Sequence, residues 1–324
     1  MCTAIAFNKN GSFFGRNLDL EYEIGEKITF VPRNFPLGFK NGKVFEHHFA
    51  MLGTAHIAGG YPLFYDGINE HGLFAAALNF PESAVYFPEK EGMGNVAAFE
   101  MIPFVLSLCS NIAEAKTLLK RVNVSSTDFS KVLKSTPLHW FFADKTGAIT
   151  VEPLENGLEM YENPFGVLTN EPPFGYHKLR LSEFLGLSPK EPENRFSENL
   201  DLEPFSKGTG AFGLPGDSSS CSRFIKAVFG KENAVSESHE ESLSQVFHIL
   251  ESVSMIKGCV RLADGKFEKT VYSACADGEN GIYYCKVFGN SRIFAVDMKK
   301  EDLEGTKIVP YPFKTEQDIL FQNR

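Results

Sequence analysis

Residues 73–80, Leu-Phe-Ala-Ala-Ala-Leu-Asn-Phe, carry a single polar side chain in eight positions. Such a run reads as a strand buried on both faces, and it constrains the fold more than any other segment. Alternating segments predict strands around it at 2–7, 12–16, 27–32 and 50–57. Asn10-Gly11 is a hairpin signal joining the first two. A meander is predicted at 138–143, 148–154 and 157–161, and closing strands at 271–275, 281–287 and 292–298.

Between these blocks the period changes. Residues 96–108 have helical spacing, with Pro103 as an expected break. Asn111 to Glu114 resembles a capping box ahead of Ala115 and Leu119. Residues 222–229 predict a helix ending at Gly230, and Leu243, Phe247, Leu250 and Val253 form the stripe of another. Residues 191–213 read as a long surface loop. The segments on either side look like halves of one pattern, so a single domain spanning 1–324 is expected. Strands, then helices, then strands place the chain in the α+β class, with at least ten strands in two antiparallel sheets.

With 324 residues, 43% apolar and 23% charged, the chain can bury a large core without disulfide or metal. Its net charge of −9 argues against nucleic acid or an anionic membrane as partner. The longest apolar stretch, 96–109, is interrupted by Glu100 and Pro103 and falls short of the ~20 residues of a bilayer span. No signal peptide is expected. The six cysteines form no CxxC pair and no metal pattern. Cys109, Cys221, Cys259, Cys275 and Cys285 read as small buried hydrophobes in a reducing cytoplasm.

Cys2 is the first chemical candidate. Removal of Met1 would leave it as the terminal residue, with nucleophile and free amine together. An α-amine near ~8 and a thiol near ~8.5 exchange a proton at little cost, and a terminal amine can serve its own side chain as base. By position alone, an ordinary strand cysteine is the stronger reading. Antiparallel pairing across the first hairpin sets Arg16 opposite residue 4 or 5, within reach of Cys2. There Arg16 would favour thiolate and Asp19 would hold the ammonium; a surface ion pair is the competing account. Asn79 and Asn170 each end an apolar segment, where an amide serves either an oxyanion or a turn. Arg223 follows Gly-Leu-Pro-Gly-Asp at 213–217, which reads as a tight loop entering a helix.

Taken in order, these segments resemble the choloylglycine hydrolases, the bile salt hydrolases and penicillin V acylases of the N-terminal nucleophile class. The resemblance is carried by Met-Cys-Thr-Ala-Ile at 1–5, Phe-Gly-Arg-Asn-Leu-Asp at 14–19, Asp-Gly-Ile-Asn-Glu at 66–70 and Ala-Leu-Asn-Phe-Pro at 77–81. Pro-Leu-His-Trp at 137–140, Gly-Val-Leu-Thr-Asn at 166–170 and Ser-Arg-Phe at 222–224 extend it. It implies an αββα sandwich, cofactor-free and metal-free hydrolysis of a linear amide, and a homotetramer. It assigns Cys2 as nucleophile and its amine as base. Arg16 would flank the thiolate, and Asp19 would orient the amine. Asn79 and Asn170 would serve the oxyanion and the amine, and Arg223 would support the site. The implied substrate is a conjugated bile acid, with Leu18, Ile57, Phe129, Leu133 and Leu138 as candidates for an apolar wall. Penicillin V, other N-acyl amides, or binding without turnover are the alternatives. The family usually has glycines where Phe74 and Ala77 stand, so bulk there is expected to shift the strand or narrow the pocket. Asn or Ser is common where Glu171 stands, so an added carboxylate at the mouth is expected to disfavour an anionic leaving group.

Overall fold

The computed structural model describes residues 1–323. The first half of the chain contributes β1 Cys2–Phe7, β2 Phe13–Leu20, β3 Lys27–Val31, β4 Leu37–Gly38 and β5 Val44–Phe45. These are followed by β6 Met51–Ala58, β7 Tyr61–Asn69, β8 Phe74–Asn79 and β9 Gly94–Ala97. Helices α1 Met101–Leu108 and α2 Ile112–Leu119 lead into β10 Val122–Ser125, β11 Leu138–Asp144, β12 Gly147–Leu154, β13 Gly157–Glu162 and β14 Val167–Leu168. Helices α3 Phe174–Arg180, α4 Ser220–Asn233 and α5 His239–Ser252 precede β15 Lys269–Asp277, β16 Ile282–Val287, β17 Asn290–Asp297 and β18 Val309–Pro312.

Two antiparallel sheets dominate. One has the order β14-β1-β2-β15-β16-β17, the other β13-β12-β11-β8-β7-β6-β3-β18. Helices α4 and α5 lie on the first sheet, and α1 and α2 on the second. The result is the four-layer αββα arrangement. In β8, Phe74, Ala76 and Leu78 belong to the core containing the inter-sheet residues, while Ala75 and Ala77 belong to the core under α1. Alternation of side chains across a strand buried between two layers explains the apolar run.

The first hairpin forms as its turn predicts. Asn10 has φ +48° and Gly11 φ +136°, values that Asn tolerates and Gly adopts freely. The resulting register sets Ala4 opposite Arg16 and Cys2 opposite Leu18.

Several elements and boundaries differ from expectation, among them β7, which carries Asp66 and was not expected. Residues 94–97 form β9, parallel to β10, and the helix begins only at Met101. Pro103 therefore sits in the first turn, where its missing N–H has no intrahelical partner to lose, and it breaks nothing. Helix α4 runs through Gly230 to Asn233. Helix α3, seven residues long, is too short for periodicity to reveal.

Phe74 also differs from expectation. It is fully buried and stacks on Phe14 with ring centroids 5.5 Å apart. It stands five residues before Asn79, roughly 17 Å along the strand, with its ring in the inter-sheet core rather than beside that residue. Phe74→Ala is expected to cost about 3–5 kcal/mol in denaturant titrations. The KM for an amide substrate should stay within about twofold, whereas a larger change at preserved stability would return Phe74 to the pocket wall.

Candidate active site

The site lies where the two sheets meet at one end. Cys2 opens β1 and is 2% exposed with Met1 in place. Its Sγ is 3.2 Å from Nη2 of Arg16, which projects from the paired strand β2. Arg16 is fully buried and crosses to the other sheet, where Nη1 donates to the carbonyl of Tyr65 and lies 3.3 Å from Asp66 Oδ2. Tyr272 and Tyr283, from the first sheet, both donate their hydroxyls to Asp66, and Thr54 bonds Tyr283 at 2.8 Å. Gly53 is required here, because a Cβ at that position would stand 2.2 Å from the Asp66 carbonyl oxygen. Burial alone would lower the Arg16 pKa, but Tyr272, Cys2 and Asp66 more than offset it, so the guanidinium stays charged. Burial raises Asp66, against the opposing pull of Arg16 and the two tyrosine hydroxyls.

The backbone of Cys2 is held from the other side. Its N–H donates to Asn170 Oδ1 at 2.7 Å, and Arg223 donates to its carbonyl. Arg223 also reaches Thr3 Oγ1 and Asn170 Oδ1, both at 2.7 Å. Only 2% exposed, this arginine is not the solvated residue of a surface turn. Asp19 lies 3.9 Å from Arg223 and accepts from Thr270 Oγ1 at 2.6 Å. Its Oδ2 is buried and has no hydrogen-bond partner among the described residues. Burial drives this carboxyl above the usual carboxylate range, partly offset by Arg223 and the chain-terminal amine. The Met1 amine donates to the Asp19 carbonyl at 2.7 Å and to Glu268 at 2.9 Å.

Asn170 is the joint between the sheets. Its N–H donates to Ser220 Oγ and its Nδ2 to the Asn79 carbonyl, both at 2.8 Å, while the Asn170 carbonyl accepts from His177 Nε2 at 3.0 Å. His139, buried under a stacked Phe80, donates Nε2–H to the Thr169 carbonyl at 2.9 Å. All six expected site residues thus fall in one region, five of them directly linked around Cys2 and Asn79 through its carbonyl. The apolar candidates divide. Leu18 is buried opposite Cys2. Ile57, Phe129, Leu133 and Leu138 are half-buried. Phe129 packs on Tyr61 and Phe99, and Leu138 pairs with Asn79. Glu171 is not a free carboxylate, since it accepts from Glu82 N, Ser83 N and Ser83 Oγ.

Sequence reasoning gave no role to Asp66, Tyr272, Tyr283, His177, Ser220, Thr270 or Glu268. Asp66 did carry a signal, as a lone carboxylate inside the otherwise uncharged segment 61–69. Cys109, Cys275 and Cys285 are buried as expected, but Cys221 is half-buried and Cys259 exposed, because Cys259 lies in the turn region after α5. Among the described residues no three His, Cys, Asp or Glu side chains form a metal-binding group.

The sandwich with a buried cysteine at the head of a central strand defines the N-terminal nucleophile hydrolase fold. Residues 2–311 match the family model for linear amide C–N hydrolases, choloylglycine hydrolase family. The chain is 42% identical over 324 residues to a bile salt hydrolase/transferase of Lactiplantibacillus plantarum, and 38% identical over 330 residues to one from Clostridium perfringens, with full coverage on both sides. A crystal structure of the C2A mutant of the conjugated bile acid hydrolase from Clostridium perfringens superposes with TM-score 0.93 at 35% identity, covering 100% of both chains. The chain therefore belongs to the choloylglycine hydrolase family and is a linear amide hydrolase.

Burial holds the His177 imidazole down at about 4, against an ordinary value of 6.5. The unfolded chain therefore takes up this proton first. The resulting stability, complete above pH 6.5, is lost as pH falls toward 4 and amounts to at most about 3 kcal/mol. His177→Gln, which retains a donor for Asn170, should flatten the stability slope over that window in denaturant titrations at stepped pH.

Proposed function

We propose that this chain hydrolyses glycine- or taurine-conjugated bile acids, with residues 1–324 acting as one catalytic domain. The observation that carries this reading is the Cys2 sulfur at 3.2 Å from a buried, charge-balanced Arg16, in a chain similar along its whole length to proteins named bile salt hydrolases. In the proposed reaction Met1 is removed and the ammonium moves inward to Cys2. Asn170 Oδ1 already faces that nitrogen at 2.7 Å, and the unpartnered Asp19 Oδ2 is an acceptor waiting for a donor. The thiolate, stabilised by Arg16, attacks the amide carbon. Asn79, whose side-chain amide makes no hydrogen bond among the described residues, donates to the oxyanion, an interaction worth about 3 kcal/mol in the transition state. The Cys2 ammonium then protonates the leaving nitrogen as the C–N bond breaks. The resulting thioester is hydrolysed by a water that passes its proton to the same amine. Arg223 holds the Cys2 carbonyl and Asn170 in register throughout.

The steroid is proposed to lie against Ile57, Phe129, Leu133 and Leu138, with Leu18 beneath Cys2. A homotetramer is also proposed, supported by large apolar side chains held out in the 185–212 region, where Leu185, Phe196, Phe205 and Phe212 are each more than 80% exposed. A cytoplasmic location is proposed because all six cysteines are unpaired, as a reducing compartment leaves them. No helix among the described residues is long and apolar enough to cross a membrane.

Product release from taurocholate, glycocholate and penicillin V, measured side by side, tests the substrate class. Release from the two bile conjugates is expected. Release from penicillin V alone would move the assignment to the acylase branch, and no release from any would favour another amide or a binding role. Cys2→Ala should abolish turnover and keep binding. Intact-mass analysis should find Met1 absent from the active population, because full turnover with Met1 retained excludes the free-amine base.

A further inference from the structure

We propose that Glu171 is a positioning residue for Asn79, acting by clamping the turn that follows it; this inference rests on the reading of Asn79 as oxyanion donor. Asn79 ends β8, so nothing in the sheet beyond it fixes its direction except what happens at residues 80–83. Two adjacent residues of another segment take hold there. Asn170 Nδ2 bonds the Asn79 carbonyl at 2.8 Å. Glu171 Oε1 accepts from the backbone N–H of Glu82 at 2.9 Å and of Ser83 at 3.0 Å, and Oε2 accepts from Ser83 Oγ at 2.7 Å. Phe80, between them, donates its N–H to the Pro137 carbonyl at 2.9 Å and stacks its ring on His139.

A carboxylate is well suited to this task. It accepts two convergent N–H groups and a hydroxyl at once, and charge-assisted bonds of this kind are stronger than neutral ones. The negative charge is thereby met by three donors of the 82–83 turn. Residues 170 and 171 thus join the segment that grips the Cys2 nitrogen to the one that presents Asn79. The separation of nucleophile, base and oxyanion donor is set across one peptide unit. Loss of the clamp frees a turn at the end of an otherwise ordered strand. Misplacement of a catalytic group by about 1 Å can cost up to about a hundredfold in rate.

The test compares Glu171→Ala and Glu171→Gln with the parent, on whichever conjugate the parent hydrolyses, with melting temperature recorded for each. Glu171→Ala should lower kcat tenfold or more with KM within about twofold, because Asn79 contributes only in the transition state. Glu171→Gln keeps an oxygen for the two N–H groups and offers its amide to Ser83, so it should recover kcat to within about threefold of the parent. Hydrogen exchange of residues 80–84 should quicken in the alanine variant alone. Should Glu171→Ala fail to fold, Ser83→Ala removes one of the three donors and should lower kcat with KM unchanged. An effect on KM alone, equal loss in both Glu171 variants, or faster turnover of the taurine conjugate in both would overturn the proposal; the last outcome would assign Glu171 a repulsive role. Absence of turnover by the parent would instead count against the substrate reading and leave the exchange measurement to decide the clamp.

Discussion

A guanidinium with 1% exposure, held between two sheets, is the constraint from which the site is built. Leaving such an ion without a partner in a low-dielectric interior costs several kcal/mol, so Arg16 must be balanced wherever it points. On one side stands Asp66, itself solvated by two tyrosine hydroxyls rather than water. On the other stands the Cys2 sulfur. The same charge that needs Asp66 for burial also reaches the Cys2 sulfur, so one buried group ties the head of β1 to the second sheet. The partners come from both sheets, Asp66 from β7 and the tyrosines from β15 and β16, and their convergence fixes the spacing between layers at this end. A side chain at Gly53 would meet the backbone of Asp66 and Gly67 on the neighbouring strand and so displace Asp66 itself.

The other half of the site is held by neutral and charge-assisted hydrogen bonds around Asn170. Each polar group of this residue, backbone and side chain, has a partner, and the partners come from four elements: Ser220 and Arg223 on α4, His177 on α3, Asn79 at the end of β8 and Cys2 at the start of β1. A network in which one residue is bonded from four elements restricts the geometry strongly, since each bond limits the others. Strand ends and helix starts are rigid supports, so little reorganisation is left for the chemical step.

How much of this could be read in advance follows from the range of the interactions. The β1–β2 hairpin was legible because Asn10-Gly11 and period-two alternation are local, and the register that sets Arg16 beside Cys2 follows from the turn. The two-sided burial of β8 was legible from its composition. The six expected site residues were picked out through ordered motifs, since none was decisive by itself. Asp66, His177 and Glu268 stayed hidden because their partners lie 50, 7 and 267 residues away, on elements whose packing no local pattern encodes. The charge of Glu171 was legible but its direction was not. A carboxylate after Asn170 suggested repulsion at a mouth, whereas its three donors come from a turn nearly ninety residues earlier.

The charge balance of the site also bears on how a substrate is recognised. Arg16 faces Asp66 and Arg223 faces Asp19, so both buried cations are matched by buried carboxyl groups. Neither is free to pair with the anionic end of a glycine or taurine conjugate, and the chain as a whole is negative at −9. Under the proposed reading, selection therefore falls on the acyl part. Burying about 200 Å² of steroid surface contributes roughly 5 kcal/mol at 25 cal/mol per Å². The half-buried Leu138 pairs directly with Asn79, and Phe129, in the loop before β11, packs on Tyr61 at the start of β7, so apolar side chains are available at this end of the sheet. The polar network is then left for what it alone can do, which is to hold sulfur, nitrogen and amide in a fixed relation while charge moves among them.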